Sequence, residues 1–419
     1  MTAKRRTLYT LIALIAVFAV VRIIDEFKGA IIASVQVRAT QSVASASPDQ
    51  IALSWSDDPQ TTQTVQWRTA PSVLDGWVQV RATLPSDASV TEMEAERSVM
   101  RDRLLRNDPV NHRYTAVLRG LTPGTSYQYR VGSKQRDLWS SWNEFTTGPE
   151  SAEDFSFLFL GDPQVDMKNW GALLRSAHER HPQAAFYLLA GDIVDNGTFR
   201  NLWDEYFRAS QGVFDRRPAM AALGNHDYSS RWNPSMFLHF FPAPHNGPKA
   251  LPTGHAYSFT YGNALFVVLD SNQEVRDQTP WIEQQLAQTK ATWKFALFHH
   301  PVYSSKDNRD NEEVRDHWKP IFDQYHLDMA LQGHDHAYLR TYPMRNDKRA
   351  TADEGGVYYV VAVSGTKFYK QEPHDYAEIG FENTPTYQVI DIATNPNRFT
   401  YRAYDAQGNV KDEVILVKP

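Results

Sequence analysis

The chain has 419 residues, 43 of them basic and 49 acidic, with a net charge of −6 and no cysteine. The lack of cysteine excludes disulfides, thiolate nucleophiles and zinc-finger sites, and the acidic balance argues against a nucleic-acid-binding surface. Ordinary apolar and charged fractions over this length predict a packed globular protein of more than one domain.

At the start, Lys4-Arg5-Arg6 precedes an apolar run over residues 7–24 whose only charge is Arg22. As a helix it would be ~27 Å long, enough for a thin bilayer with Arg22 snorkelling at the far end. Basic residues in front predict a cytoplasmic N-terminus and an exported remainder. Residues 1–28 are therefore expected to anchor the protein in the inner membrane, with its bulk on the periplasmic or extracellular side. The rival is a cleaved signal peptide, which would leave a secreted protein. The small-x-small site Ala44-Ser45-Ala46 lies far beyond the apolar run, and cleavage there would remove an expected first strand at 35–39, which favours the anchor.

Residues 33–148 read as short strands broken by turn signals. Ile51, Leu53 and Trp55 alternate onto one face, as do Tyr114, Ala116 and Leu118, and then Tyr127, Tyr129 and Val131. About seven such strands predict an all-β sandwich. The segment Leu121-Thr122-Pro123-Gly124-Thr125-Ser126-Tyr127-Gln128-Tyr129 resembles the tyrosine corner of fibronectin type III domains, and the region is similar to the domain that precedes the catalytic domain of purple acid phosphatases. No chemistry is visible in it, and Asp108 and His112 are expected at the surface. Residues 148–154, polar with Gly and Pro, read as a linker.

From 155 to 419 seven apolar runs share one layout, each ending in polar residues. The endings are Gly161-Asp162, Gly191-Asp192, Gly224-Asn225-His226-Asp227, Asp270, His299-His300, Gly333-His334-Asp335-His336 and Ser364-Gly365. Near-continuous apolar runs predict strands buried on both faces with helices between them, at 169–181 and 280–289, the second capped by Thr279 with Pro280 at its first position. In such sheets ligands gather at the carboxyl ends of strands. His334 and His336, one residue apart on extended chain, point to the same side. That suits two adjacent metal ions. Two divalent cations ~3.5–4 Å apart repel unless an anion sits between them. A carboxylate such as Asp192 can bridge, while imidazoles and an amide oxygen complete each shell and leave room for water and a phosphate ester.

In order and spacing, Gly161-Asp162-Pro163-Gln164, Gly191-Asp192-Ile193-Val194-Asp195, Gly224-Asn225-His226-Asp227, His299-His300-Pro301 and Gly333-His334-Asp335-His336 resemble the calcineurin-like metallophosphoesterases. The whole chain is similar to a bacterial relative of the purple acid phosphatases. The resemblance implies a two-sheet α/β/β/α sandwich and a dinuclear-metal phosphohydrolase acting by attack of a metal-bound hydroxide. Carried over by position, one metal takes Asp162, Gln164, Asp192 and His336. The other takes Asp192, Asn225, His299 and His334, with Asp192 shared. His226 is implied to be the general acid for the leaving alkoxide, or a stabiliser of its charge.

The chain departs from the family at two positions. Gln164 stands where most relatives have His, which tilts the expected pair of divalent ions toward Mn²⁺, among Mn, Fe, Zn and Mg. Asp195 stands where the purple enzymes have Tyr, so a colourless protein is expected, with Asp195, like Asp227, supporting ligands from behind. His300, Tyr303 and Tyr228 are candidate substrate contacts, and Trp232 is expected to pack its loop. His317 and His326 are expected at the surface, residues 345–354 as a charged loop, and the C-terminal tail as a closing hairpin. Phosphorylated small molecules, preferentially monoesters, are the expected substrates. The alternatives are a phosphodiesterase of the same fold, or a membrane-tethered binding or adhesion protein with an inactive site.

Overall fold

The computed structural model describes residues 36–85, 87–228 and 233–418. The expected anchor and Trp232 lie outside them. Among the described residues no helix is long and apolar enough to cross a membrane.

Nine strands form the first domain, in two facing antiparallel sheets. One sheet runs Asp49–Ser54, Gln63–Thr69, Val110–Leu118, Glu96–Arg101. The other holds Thr91–Glu94, Trp77–Ala82, Ser126–Ser133, Leu138–Trp139 and Asn143–Thr146. Alternate residues point inward, and Leu53, Trp67, Val78, Tyr114, Tyr129 and Phe145 fill the space between the sheets. At the expected tyrosine corner the Tyr127 hydroxyl accepts the Thr122 N–H at 2.8 Å. The strand expected at 35–39 is reduced, within the described residues, to an isolated bridge between Arg38 and Leu105. An ion pair with Asp102 holds Arg38 there instead of a ladder.

The second domain has two stacked sheets with helices outside. In one sheet the parallel strands Ala219–Ala221, Ala184–Leu189 and Phe155–Leu160 continue into the antiparallel Thr386–Thr394, Asn397–Asp405 and Val410–Val417. The last two are the expected closing hairpin. The other sheet is built on the parallel strands Ala264–Val268, Trp293–Leu297, Met329–Gln332 and Tyr358–Val361. Antiparallel strands flank them. Helices Met167–Arg180 and Arg200–Ser210 pack on the first sheet, and Val275–Gln288 and Glu312–Gln324 on the second. Phenylalanines join the sheets. Phe157 stacks on Phe186 at 5.1 Å, Phe266 stacks on Phe295 at 5.3 Å, and the two pairs meet edge to face.

Several expectations need correction. The helix expected to begin at Pro280 starts at Val275, because buried Gln278 bonds both the amide and the carbonyl of Asp270 and draws the preceding turn into the helix. Residues 345–354 are not only loop, since Met344–Arg345 and Lys348–Arg349 pair as a small hairpin. Asp108 and His112 are buried rather than exposed. Asp108 lies at the junction between the domains, where Arg200 donates to it at 2.9 Å and Arg68 stands 3.6 Å away. Arg68 also grips Asp49 with two N–H groups and Asp204 with a third. Trp55 belongs to the core of the second domain, packed on Phe186 and Tyr261.

Candidate metal centre

The polar strand endings meet on one edge of the paired sheets. Tight backbone approach brings them there. A Cβ on Gly191, at φ 85°, would meet the Gly224 backbone nitrogen at 2.4 Å, and one on Gly333 would meet Asp162 Oδ2 at 2.5 Å. Asp162, Asp192, His334 and His336 all have positive φ, between 40° and 73°. Each such residue costs ~1–3 kcal/mol and persists only where its surroundings hold it. Here hydrogen bonds do so. The His334 N–H donates to both oxygens of Asp162, at 3.0 and 2.9 Å, and the His226 N–H donates to Asp192 Oδ1 at 2.8 Å.

Four side-chain atoms then converge. His334 Nδ1 lies 3.0 Å from Asn225 Oδ1 and 3.1 Å from His299 Nε2. His299 Nε2 lies 3.1 Å from Asn225 Oδ1 and 3.3 Å from Asp192 Oδ2. Atoms bonded to one cation at ~2.0–2.2 Å stand about 3 Å apart from each other, so the spacing suits a shared metal ion. His299 donates Nδ1–H to the Ala190 carbonyl at 2.8 Å, which leaves Nε2 for the centre. Asp162 flanks this group, its Oδ1 3.7 Å from His299 Nδ1, and both residues are fully buried.

Gln164 and His336 are the remaining expected donors. Gln164 is buried, its Nε2 donates to Asp195 Oδ1 at 3.2 Å, and its Oε1 has no protein partner. A buried amide oxygen left without a partner fits a metal ligand. His336 donates Nδ1–H to the Lys367 carbonyl at 3.0 Å, leaving Nε2 free.

The electrostatics reflect a shortage of positive charge. Burial pushes the Asp162 carboxyl up to about 8, with Asp192 adding to the shift and His299 opposing it. Burial works against a charged His299, but Asp192 and Asp162 outweigh it and raise the ring to about 9. Burial, and then the neighbouring His299, lowers His300 to about 3. One proton on His299 thus occupies a place a cation would fill.

Behind the ligands, Asp227 is buried and accepts the Ile193 and Gly224 N–H groups at 3.0 and 2.9 Å. The Asp195 carbonyl accepts Nδ1–H of His226 at 2.7 Å, with its carboxylate 3.6 Å away. A cavity of about 530 Å³ opens beside Asn225 and His300, lined also by Tyr228, Ser271 and Asn272. The Tyr228 hydroxyl is bound to Asp270, which also holds His255. Tyr303 does not line this cavity. Its hydroxyl donates to Asp347 and its ring packs on Tyr359 and Tyr376. Sequence reasoning missed Ser271, whose Oγ accepts the His300 N–H at 2.9 Å, and Arg309, which holds Asp335. The first follows a strand-ending Asp and was open to notice. The second sits in a polar loop with no pattern.

Residues 155–338 match the family model for calcineurin-like phosphoesterases, and residues 48–147 match that for the purple acid phosphatase N-terminal domain. The chain carries a calcineurin-like phosphoesterase domain behind a purple acid phosphatase N-terminal domain. Among relatives of this chain, an uncharacterized Mycobacterium tuberculosis protein is 26% identical over 343 residues, which span 70% of this chain and 62% of that protein. Acid phosphatase type 7 of Mus musculus is 26% identical over 425 residues, 91% of this chain and 94% of its own. The structure of a purple acid phosphatase from yellow lupin seeds superimposes with a TM-score of 0.76 over 89% of this chain and 74% of that one. At 16% identity this is a likeness of fold.

Proposed function

We propose that this phosphoesterase is a dinuclear-metal phosphohydrolase acting on phosphate monoesters. The observation that carries the reading is the convergence of Asp192, Asn225, His299 and His334 on one point. These four would hold one divalent ion. Asp162, Gln164, Asp192 and His336 would hold the other, with Asp192 common to both. Bound there, two divalent ions supply charge neutralisation for the phosphate and acidify water at neutral pH.

The chain's own residues do the rest. His226, its ring oriented by Nδ1–H donated to the Asp195 carbonyl and with the Asp195 carboxylate near, is placed to offer Nε2–H to the leaving oxygen. Asn225 and His300 stand where the cavity meets the donor cluster, so the leaving group would occupy that cavity. Gln164, a neutral oxygen donor, favours Mn²⁺. With Asp195 where a tyrosinate would be needed, the protein is proposed to be colourless. The apolar run at 7–24 supports an anchored location on the exported side of the membrane.

The test is metal analysis with turnover of a chromogenic aryl phosphate. About two Mn²⁺ per chain and hydrolysis are expected. A manganese-loaded protein that cleaves neither monoester nor diester would refute the reading.

A further inference from the structure

Three side chains that the proposed chemistry leaves unused stand on the His334–His336 flank of the centre. Arg309 donates Nε–H to Asp335 Oδ1 at 2.9 Å and Nη2–H to the His334 carbonyl at 2.9 Å. Asp335 is fully buried, and its other oxygen is taken by Ser304 Oγ and the Ser305 N–H. The guanidinium is therefore fixed against the turn that presents both histidines, yet its side chain stays 27% exposed.

The Arg309 guanidinium carbon lies 5.1 Å from the Tyr369 ring centre. That ring packs on His336 at 4.7 Å, and the Tyr369 N–H donates to the His336 carbonyl. Lys367, whose carbonyl orients His336, brings its ammonium within 5.7 Å of the same tyrosine. Two cations are thus organised around one ring beside the metal ligands.

Neither charge is needed to hold a divalent ion, and both work against one. They make sense opposite an anion. A phosphate diester carries one negative charge, whereas a monoester near neutral pH approaches two. Two metals grip the oxygens common to both, so a preference between them must come from groups that meet the extra charge. A fixed guanidinium is suited to this, since it presents directed N–H groups at little ordering cost. We infer that Arg309, supported by Lys367 and Tyr369, is the specificity-determining clamp for the second negative charge of a phosphomonoester. This rests on the phosphohydrolase reading.

The test compares the manganese-loaded full chain with Arg309→Met, Arg309→Lys and Lys367→Met. Aryl phosphate and bis-aryl phosphate serve as substrates, and inorganic phosphate and dimethyl phosphate as ligands for calorimetry. In Arg309→Met the monoester kcat/KM is expected to fall about 10- to 100-fold, the loss of one charge-assisted hydrogen bond, and the diester value less than about threefold. Inorganic phosphate should weaken in parallel, with dimethyl phosphate and manganese content unchanged. Lys367→Met should show the same selectivity with a smaller loss, and Arg309→Lys should recover part of it.

Equal losses for both esters, accompanied by loss of manganese, would make Arg309 a mere support for Asp335 and overturn the inference. So would a parent protein that prefers the diester. If Arg309→Met does not fold, Arg309→Lys decides: a reduced monoester preference supports the clamp and an unchanged one overturns it. If the parent hydrolyses neither ester, the phosphohydrolase reading falls, and the phosphate-binding comparison still judges Arg309 by itself.

Discussion

Among the described residues, the charged clusters at the domain junction and at the strand ends differ in what balances them. At the domain junction Arg68, Arg113 and Arg200 meet Asp49, Asp108 and Asp204. Arg68 binds Asp49 through two N–H groups and Asp204 through a third, and Arg200 binds Asp108. Even Arg113, lowered to about 9 by burial and then by Arg68, has Gln50 and the rings of Phe207 and Phe240 as partners. At the strand ends, Asp162, Asp192, His299, His334 and the Asn225 amide oxygen gather, and the carboxylates raise His299 to about 9 against its burial. Charges set against charges of opposite sign hold surfaces together. Acceptors gathered at one point, in strained backbone, make a place suited to a cation.

The largest expected effect comes from removing a carboxylate at the centre. Asp162→Asn should lower metal affinity by more than the about 100-fold that loss of an outer partner costs, while the metal-free protein stays at least as stable as the parent. A large loss of metal-free stability, read by denaturant melting, would erase the contrast between the two clusters. At the junction the opposite is expected. Asp204→Ala should cost ~3–5 kcal/mol by leaving Arg68 buried and half-paired, with metal content and turnover per folded molecule unchanged.

Intermediate in size is His226→Ala. About 10²- to 10⁴-fold should be lost for alkyl phosphates and much less for good aryl leaving groups, at constant metal content. Equal losses for both would remove the acid role. The sharpest probe of the cation shortage is pH. Asp162, raised to about 8, and His299, raised to about 9, both keep protons in the metal-free fold that the unfolded chain releases. Stability falls with pH wherever the folded state binds more protons, so the metal-free protein should lose stability between about pH 4 and 9, first through Asp162 and then also through His299. Metal affinity should rise over the same range, with protons released on binding. Flat profiles measured by thermal melts and by calorimetry in two buffers would contradict this. The smallest effect is expected for Gln164→His, a shift of about tenfold in affinity from Mn²⁺ toward Zn²⁺, seen by competitive metal binding.

The residues alone disclosed most of the second domain and its centre, because buried parallel strands leave unbroken apolar runs and ligands cluster at their ends. Asp162, Asp192, His299, His334 and His336 stood out at or just after the ends of such runs, whereas the full ligand set, with Gln164 and Asn225, followed from the resemblance to calcineurin-like metallophosphoesterases. The sandwich was legible from its alternation, as was the turn before Tyr127. The roles of Asp108, Trp55, Tyr303 and Arg309 were not. Asp108 and Trp55 are buried against the other domain, Tyr303 is turned away by Asp347, and Arg309 is held at the centre by Asp335. Periodicity records which side of its own strand a residue faces. It carries no information on what packs against that side from a distant part of the chain, and only folding supplies that.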